Sequence, residues 1–539
     1  SMRATWGSVI AASGMVRLTN ALTLRRQVYD PLSVPVARKL SVRGPISSRI
    51  LATHRRSWCL RLFSLTAISG WRLVGRAMTR LTILCLASLC WATSLTDPLQ
   101  AKPAEASVQQ SDHIDMIVTD QMDASNLPGV AVAVVQSGEV TKLSGYGLAN
   151  LEWNARVDPD TRFQLASATK IFTAVALMRL VEQRRLTLDQ PISDFFDEAP
   201  ESWRSITVRM LANHTSGLDE NLGEPRPKTV GDSVAAAMKR PLAYKPGSEA
   251  RYGFTDFTIL RAVLEKATGT SLPEILRTEI TGPLGMAATG FAMAAEDEGV
   301  RTGEVLTKRS SIYAWDGKRQ RTSEFFFEPL GYGAGGLYST ARDLARFSAA
   351  LDRGELISSA SMQELTTPAT LPGGSKAGFA IGWTVKNYRG VSVVGHSGGP
   401  ALADIIRIPS KGITVIALTN AQIFYPLLAE RIADLYLPEP PVAALPDQRP
   451  EIARRFRLAL DTLDPTTEAQ GSRALEPLRS TFGKAYLAGV GPVQSVTLLS
   501  ERASGDDITR TYQVRFSRKT AEFLAISDGA GRLKVLRPN

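Results

Sequence analysis

The sequence places a serine hydroxyl and a lysine amine three residues apart, at Ser167 and Lys170. Residues at this spacing lie on one face of a helix, so the lysine can help to remove the proton of serine, which is otherwise a weak nucleophile. The same spacing also arises by chance in a chain of 539 residues. It therefore defines a candidate nucleophile and base, and not an enzyme on its own.

Tyr252 is a second candidate, because it follows the turn residues 245–247 and precedes an amphipathic segment. A tyrosine acts as a base only when its proton is made easier to lose, since its unperturbed pKa is about 10. Positive charge from Lys170 would have that effect. A partly buried structural tyrosine is the alternative that this residue alone leaves open.

The glycine-rich stretch 395–399 ends a predicted strand. Glycines let the backbone approach a ligand closely, and N–H groups at a strand end can face a developing oxyanion. The stretch also matches G-x-S-x-G, the motif in which α/β-hydrolases carry a nucleophile followed by an acid and a histidine. No histidine follows His396, and Pro400 and an apolar strand come next in place of a helix. Ser397 is therefore not expected to be the nucleophile.

Ser167 is predicted to begin a helix that is apolar on most of its surface. Residues 163–166 indicate a short extended approach, and apolar residues then recur at helical spacing: Ile171, Val175, Leu177, Met178, Leu180 and Val181. The N-terminal dipole of such a helix favours negative charge near Ser167. A second amphipathic helix is predicted over 255–268, directly after Tyr252, and ends at Gly269.

The surrounding elements predict one antiparallel sheet assembled from both ends of the domain. A helix is expected over 112–122, followed by strands over 130–135 and 140–146 joined at Ser137-Gly138. Further strands are expected over 383–388, 391–395, 403–408 and 413–418. Because a helical middle separates the early and late strands, the predicted fold class is α/β (α+β), with an antiparallel sheet flanked by helices and a helical subdomain.

Prolines crowd a predicted linker over 437–450, which separates a main domain over 108–436 from a C-terminal unit over 451–539. This unit begins with a helical pattern and then alternates apolar and polar residues. Four of its residues are predicted to share one face of a strand: Ile508, Tyr512, Val514 and Phe516. The unit is expected to be a small α+β domain without chemistry of its own.

The formal charge of +11 comes from the N-terminal segment. Residues 1–102 contain 15 Lys and Arg and two acidic residues, whereas the rest of the chain contains 48 basic and 50 acidic residues. A folded part this close to neutral gives no reason to expect nucleic acid as a partner.

Residues 78–102 have the layout of a secretory signal peptide, with Arg76 and Arg80 before an apolar run and a small-residue exit at Ala101. The run is too short to span a bilayer comfortably, so no stable membrane span is expected after its removal. The expected location is the periplasm or the outside of the cell. Residues 1–77 are interpreted as a non-native upstream extension or an Arg-rich targeting segment, with Met78 as the true start.

Few side chains are suited to hold a metal. All three cysteines lie before residue 103, so no disulfide is expected in the mature protein. The chain has four histidines, at 54, 113, 214 and 396. Neither a zinc site nor another cofactor is expected from this composition.

Taken in order, the Ser167 and Lys170 pair, Tyr252-Gly253-Phe254 and His396-Ser397-Gly398 resemble the three motifs of the serine β-lactamase and penicillin-binding (transpeptidase-like) fold. The closer resemblance is to the class C β-lactamase-like group, which includes esterases and D-amino-acid-specific peptidases. It covers about residues 108–436 and includes framework segments at 211–218, 282–286, 335–340 and 381–383.

This resemblance implies a role for each matching residue. Ser167 would attack a carbonyl group and form an acyl-enzyme, and Lys170 would lower the cost of deprotonating both Ser167 and Tyr252. Tyr252 would exchange protons with the nucleophile and the leaving group. The backbone N–H groups of Ser167 and Gly399 would form the oxyanion hole.

The third motif would border the substrate. His396 would line the site and support Tyr252 or the substrate, and Ser397 and Gly398 would form the strand end beside it. His214, in one of the framework segments, resembles a structural residue.

Two positions depart from the pattern of the group. The tyrosine motif usually ends in asparagine, and Phe254 removes this polar anchor for acylamino β-lactams. The third motif begins with His396 where efficient β-lactamases usually carry lysine. A neutral histidine is a poor partner for a carboxylate, and losing a charge-assisted hydrogen bond costs about 1.5–3 kcal/mol. Both changes favour a neutral ester, or an amide without a terminal carboxylate.

The expected function is therefore that of a secreted serine hydrolase that cleaves a small-molecule ester or amide through an acyl-enzyme on Ser167. One alternative is a true β-lactamase or D-alanyl carboxypeptidase, with a β-lactam or peptide substrate. Another is a non-catalytic protein that binds peptide or cell-wall fragments and uses residues 451–539 for interaction. The sequence leaves the oligomeric state open.

Overall fold

The computed structural model describes residues 103–293, 295–297, 300–323, 327–399, 402–422, 427–439 and 442–538. The predicted upstream extension (1–77), the predicted signal peptide (78–102) and the three cysteines lie outside these residues. None of the described helices combines the length and the apolar composition that crossing a membrane requires.

The helices are α1 (Pro103–Ser125), α2 (Thr169–Glu182), α3 (Val208–Ala212), α4 (Val230–Met238), α5 (Phe254–Thr268), α6 (Leu272–Leu276), α7 (Ala341–Asp352), α8 (Ser359–Thr366), α9 (Leu428–Ala433), α10 (Pro450–Thr462), α11 (Glu476–Arg479) and α12 (Thr481–Val490). The two helices that carry the candidate motifs, α2 and α5, begin within two residues of the predicted starts. The first helix is longer than the predicted 112–122.

The strands are β1 (Gly129–Gln136), β2 (Glu139–Asn150), β3 (Ala155–Arg156), β4 (Phe163–Gln164), β5 (Gly290–Phe291), β6 (Ala295–Asp297), β7 (Val300–Thr302), β8 (Ile312–Trp315), β9 (Gln320–Ser323), β10 (Leu337–Ser339), β11 (Thr384–Tyr388), β12 (Val391–Gly398), β13 (Ala403–Ile408), β14 (Ile413–Thr419), β15 (Ala421–Gln422), β16 (Val493–Ser504), β17 (Asp507–Phe516), β18 (Thr520–Ser527) and β19 (Leu533–Pro538). Strand β12 extends three residues beyond its predicted end.

A seven-stranded antiparallel sheet forms the centre of the main domain, in the order β11-β12-β13-β14-β1-β2-β3. The first strand pairs with the last long strand of the domain, from Val130 opposite Thr419 to Gln136 opposite Ile413. The prediction of an antiparallel sheet built from both ends of the domain is therefore confirmed. This closure brings the late strand β12 to the same sheet as the early hairpin.

Both faces of this sheet are covered, which explains the continuous apolar run of β1. Val130, Val132 and Val134 pack with α1 and α9 on one side, called the outer face below. Ala131 and Ala133 pack with α2 and the helical middle on the other side, called the inner face.

Helix α2 lies inside the main domain and is buried at almost every position, including Lys170. A helix that is apolar all round is typical of such a central position. Phe172 of α2 stacks on Phe347 of α7 with ring centroids 4.3 Å apart. The packing fixes the helix, and therefore the residues at its N-terminus.

The C-terminal unit is a four-stranded antiparallel sheet, in the order β16-β17-β18-β19, with helices packed on one face. The predicted face of β17 is confirmed, since all four of its apolar residues are buried. Phe456 of α10 stacks on Tyr512 with ring centroids 4.2 Å apart. Arg510 lies on the same strand face and is buried, with its guanidinium 3.0 Å from Asp447.

The turn between β17 and β18 attaches this unit to the main domain through Lys519. The amine of Lys519 is 2.8 Å from Glu430 Oε2 and donates to Tyr388 Oη at 2.7 Å. Its side chain is only 4% exposed. Although burial favours the neutral acid, Lys386 and Lys519 hold the pKa of Glu430 at about 2. The C-terminal unit thus supplies a cation to a carboxylate behind the central sheet.

Lys519→Met is expected to lower the free energy of unfolding by about 1–3 kcal/mol, because Tyr388 and Glu430 lose a buried donor while Lys386 stays paired with Glu430. Urea unfolding of the variant and the wild type measures the difference. Arg518→Met is the matched control from the same turn. Arg518 pairs with the 43%-exposed Asp120, so its loss is expected to cost under about 1 kcal/mol. Equal losses in the two variants would contradict the prediction.

Candidate active site

Ser167 lies in a single 3-10 turn, Ala166–Ala168, between strand β4 and helix α2. Ala166 has a φ of 44°, a conformation that costs a non-glycine residue roughly 1–3 kcal/mol and persists only where its surroundings impose it. Thr169 imposes it here by donating to the Ala166 carbonyl at 2.7 Å and accepting from Leu337 N–H at 3.1 Å. Ser167 is partly exposed between two fully buried alanines. The turn therefore presents the hydroxyl at the N-terminus of the central helix.

The amine of Lys170 is fully buried and donates to the Ala334 carbonyl at 2.8 Å. Three aromatic rings surround it, with centroids 4.7 Å (Tyr252), 5.2 Å (Phe254) and 5.1 Å (Phe257) from Nζ. Burial lowers the pKa of Lys170 to about 7, although the charges of Glu220 and Asp256 act in the opposite direction. Near neutral pH a large share of this side chain is a free amine, which is the form that accepts a proton.

The side chains of Tyr252 and Ser167 lie close enough for Ser167 to lower the pKa of the tyrosine. Burial has the larger effect and raises the pKa of Tyr252 above its usual value. A positive Lys170 was expected to make the tyrosine proton easier to lose. The same burial that raises the tyrosine pKa lowers the lysine pKa, so the structure offers a neutral phenol beside a neutral amine.

Glu220 fixes the start of α5, and sequence reasoning did not identify it. Its carboxylate accepts from the N–H groups of Phe254 at 2.8 Å and Thr255 at 2.9 Å. A Cβ at Gly253 would lie 2.1 Å from Glu220 Oε1, so this close approach requires the glycine between Tyr252 and Phe254. The acid is more than thirty residues upstream of its partners, and no local pattern links the two segments.

His214 and Asp256 lie directly behind Tyr252. The rings of His214 and Tyr252 have centroids 4.7 Å apart, and His214 Nδ1 is 2.9 Å from Asp256 Oδ2. His214 had been interpreted as a framework residue, and Asp256 was missed. An acidic residue among the apolar positions of the helix after Tyr252 was the signal that could have identified it.

His396 projects from the inner face of β12 towards Tyr252, with ring centroids 5.9 Å apart. Burial lowers its pKa to about 3, so the imidazole is neutral. Its Nδ1 is 2.8 Å from the Ser397 carbonyl, which only accepts hydrogen bonds, so Nδ1 carries the proton. The group at the position of the usual lysine therefore brings no positive charge to the site.

Ser397 points the other way, because successive side chains of a strand alternate between its faces. Its hydroxyl donates to Asp404 Oδ1 at 2.7 Å. Both residues share the face of Val393 and Ile406, which pack against α1 and α9. The Ser397 side chain thus lies on the outer face of the sheet, opposite Lys170 and Tyr252.

Gly398 brings the end of β12 against the turn that holds Ser167. A Cβ at Gly398 would lie 2.0 Å from the Leu165 carbonyl oxygen and 3.3 Å from Ala166 Cβ, so any other residue would displace the turn. Gly399 follows at this junction. That the N–H groups of Ser167 and Gly399 form an oxyanion hole stays a prediction from the resemblance.

The structure brings Ser167, Lys170, Tyr252 and His396 together and leaves the Ser397 hydroxyl outside this group. A serine hydroxyl, a buried amine and a phenol in contact make up the kind of site that transfers acyl groups through a serine ester. Among the described residues, no cluster of three or more His, Cys, Asp or Glu side chains is arranged to hold a metal ion.

A family model described as beta-lactamase matches residues 114–436, which is more than half of the chain. The chain therefore belongs to the β-lactamase family. Unguisins hydrolase ungD' of Aspergillus campestris is 28% identical over 330 residues, which cover 56% of this chain and 60% of that protein. Penicillin-binding protein 4* of Bacillus subtilis is 27% identical over 307 residues, which cover 54% of this chain and 68% of that protein.

Protein flp of Staphylococcus aureus is 26% identical over 187 residues, which cover 38% of its length, so the chain spans only part of these relatives. Among solved structures, an octameric penicillin-binding protein homologue from Pyrococcus abyssi superposes with a TM-score of 0.53 at 22% identity, covering 79% of this chain and 99% of that one. The likeness confirms the fold. The family model and these relatives place residues 114–436 in the β-lactamase and penicillin-binding superfamily.

Proposed function

We propose that this protein hydrolyses a neutral ester, or a small amide without a carboxylate, through an acyl-enzyme on Ser167. The observation that carries the proposal is the buried Lys170 amine, with a pKa of about 7, packed on Tyr252, whose side chain interacts with that of Ser167. This arrangement gives the serine proton a path to a base that is unprotonated near neutral pH.

In the acylation step, Ser167 Oγ forms a bond to the substrate carbonyl carbon while its proton is relayed through the Tyr252 hydroxyl to the Lys170 amine. The bond from the carbonyl carbon to the leaving group then breaks, and the leaving alcohol or amine takes that proton. Water adds to the resulting serine ester in the second step. Ser167 regains its proton as the carboxylic acid product departs. General base catalysis of this kind contributes about 10²–10⁴-fold to the rate.

The charges around the site support a neutral substrate. His396 is neutral, Lys170 is a free amine in about half of the molecules at pH 7, and Glu220 and Asp256 are the acidic groups that act on Lys170. These groups offer no fixed cation to a substrate carboxylate. Phe254 is 39% exposed beside the Lys170 amine, so an apolar ring takes the place of a polar anchor.

The test is a comparison of a short-chain p-nitrophenyl ester with a chromogenic cephalosporin on the full chain. Fast ester cleavage with little cephalosporin turnover is the expected result. Fast cephalosporin cleavage would instead identify a β-lactamase, which the similarity to penicillin-binding protein 4* keeps as the second candidate. Failure of a fluorophosphonate probe to label Ser167 would contradict both and leave the non-catalytic binding protein.

Phe254→Asn is expected to raise the ratio of kcat/KM for an acylamino cephalosporin over that for the ester by about five- to tenfold. The asparagine restores one hydrogen bond to the acylamino group, which is worth about 1 kcal/mol or slightly more. Phe254→Leu is the matched control, because it keeps the position apolar. An unchanged ratio in the asparagine variant, or an equal rise in both variants, would contradict the role given to Phe254.

We also propose that the protein acts in the periplasm or outside the cell. The basic and apolar pattern of residues 78–102 supports this location. N-terminal sequencing of protein from the native host tests it, with a mature terminus near residue 102 as the expected result. A mature terminus upstream of Met78 would contradict both the signal peptide and the assigned start.

A further inference from the structure

Three polar side chains are enclosed behind Tyr252: Ser216, Asp256 and His214 are 1%, 3% and 2% exposed. Ser216 donates its hydroxyl proton to Asp256 Oδ1, and the other carboxyl oxygen is 2.9 Å from His214 Nδ1. No arginine or lysine forms a hydrogen bond with Asp256 among the described residues. A buried carboxylate without such a cation is costly to keep ionised.

The hydrogen bonds around His214 indicate where the proton of this group lies. The backbone N–H of Gly253 donates to His214 Nδ1 at 3.4 Å, which is the arrangement of a ring nitrogen that accepts a hydrogen bond and carries no proton. A carboxylate oxygen 2.9 Å from a nitrogen lone pair would be repelled by it. The contact is a hydrogen bond only if Asp256 itself carries the proton.

We propose that Asp256 is a neutral carboxylic acid in the resting protein, donates its proton to His214 Nδ1, and so adds no second negative charge to that of Glu220 near Lys170. Asp256 is then a positioning residue that acts on the base and does not contact the substrate. A carboxylic acid held neutral so that it can donate a hydrogen bond is known at enzyme sites. The kinetic consequences rest on the proposed function, whereas the protonation state of Asp256 does not.

The electrostatics of the site agree with the geometry. Burial raises the pKa of Asp256 to about 8, and the Ser216 hydroxyl and Lys170 oppose this rise. Other titratable groups also act on Lys170 or contact it: Glu220 after α3, His214 in the same segment, Tyr252 at the start of α5 and His396 on β12. His214 and His396 are neutral because burial lowers the pKa of both.

The proposal predicts two separate limbs in the pH dependence of kcat/KM. The acid limb, near pH 7, reports the loss of the proton from Lys170, and Glu220, whose pKa burial raises to about 7, titrates in the same range. Above about pH 8 Asp256 ionises. The new negative charge favours the ammonium form of Lys170 and opposes negative charge on the attacking oxygen, so kcat/KM falls. Lys170 and Asp256 interact, so both limbs are properties of the pair. Lys170 contributes most to the acid limb and Asp256 contributes most to the alkaline limb.

Asp256→Asn tests this assignment, because its amide donates to His214 Nδ1 as the neutral acid does but cannot ionise. The expected profile keeps the acid limb near pH 7 and loses the alkaline limb. Ser216→Ala removes the donor that stabilises the ionised form, so the alkaline limb is expected to move up by about one pH unit. Asp404→Asn, on the outer face of the sheet, is the control and is expected to leave the alkaline limb in place.

Infrared difference spectroscopy of the full-length protein detects the proton directly and requires no turnover. A carbonyl band of a protonated carboxylic acid is expected at pH 7, lost on titration through about pH 8 and absent in Asp256→Asn. Asp404→Asn removes only the band of its own acid. If Asp256→Asn does not fold, two observations still test whether Asp256 is protonated. They are the protonated-acid band of the wild type at pH 7 and the higher pH at which Ser216→Ala loses this band.

Two results would overturn the proposal. One is an infrared spectrum in which Asp256→Asn removes no protonated-acid band at pH 7. The other is an acid limb that moves to lower pH in Asp256→Asn, because that shift would show that an ionised Asp256 stabilises the Lys170 ammonium in the wild type. A protein that cleaves no ester but shows the band would contradict the proposed function and leave the protonation state of Asp256 established.

Discussion

Ser167→Ala is expected to reduce ester turnover by at least about 10⁴-fold and to abolish covalent labelling by a fluorophosphonate. The variant lacks the only oxygen that the proposed chemistry joins to the acyl group, and removal of a serine nucleophile typically costs up to about 10⁶-fold in kcat. The fold should not change, because Ser167 is partly exposed and its turn is held by the hydrogen bonds of Thr169. Intact-protein mass spectrometry and a thermal melt measure the two effects.

Ser397→Ala is the matched control, since it removes a serine hydroxyl from the sequence pattern that competes for the same role. Its hydroxyl contacts Asp404 on the outer face of the sheet, away from Lys170. The variant is expected to retain activity within about tenfold of the wild type. If Ser397→Ala abolishes labelling while Ser167→Ala does not, the assignment of the nucleophile is wrong.

Lys170→Met is expected to reduce kcat by about 10³–10⁴-fold, the upper part of the range for a general base. The wild type should show kcat/KM rising with pH through about 7, as Lys170 loses its proton. In Lys170→Met, the remaining kcat/KM should not rise with pH in this range. A residual rate that still titrates near pH 7 would assign the limb to another group.

The same variant is expected to melt no lower than the wild type at pH 7. Burial lowers the pKa of Lys170 from 10.5 to about 7, so the unfolded chain binds more protons than the folded protein between these values. Stability of the wild type therefore rises with pH across that interval. Methionine removes this dependence, although it leaves the Ala334 carbonyl without its donor, a loss of about 1–3 kcal/mol.

Unfolding curves of Lys170→Met and the wild type at pH 7 and pH 10 test the linkage. The stability advantage of the variant should be greatest at pH 7 and below and should shrink towards pH 10. A variant that melts well below the wild type at every pH would show that Lys170 serves the fold, and the loss of activity would then have a structural cause.

Much of the architecture was predictable because it depends on local periodicity. The apolar spacing after Ser167 predicted α2, and the run before Gly269 predicted α5 together with its end. The strand pattern predicted a sheet that joins β1 to β14, since only distant segments were left to pair with the early hairpin. These features depend on which side chains of one helix or strand are buried. The spacing of apolar residues in a single sequence shows this.

Alternation along a strand also separates His396 from Ser397, but the sequence alone did not show which of the two faces α2. The answer depends on the packing of Val393 and Val394 on opposite sides of the sheet. Both His396 and Ser397 were therefore expected at the substrate site. The structure keeps His396 near Tyr252 and places the Ser397 hydroxyl against Asp404.

By itself, the sequence identified the candidate nucleophile and its lysine, the candidate tyrosine, the family resemblance and the two departures at Phe254 and His396. These are properties of residue type and spacing. Only the tertiary structure decided the protonation states of the site, because pKa values depend on burial and on neighbours from distant segments. Burial among residues from distant parts of the chain makes Lys170 a base near neutral pH, and Glu220 and Asp256, which also come from elsewhere in the chain, oppose that shift.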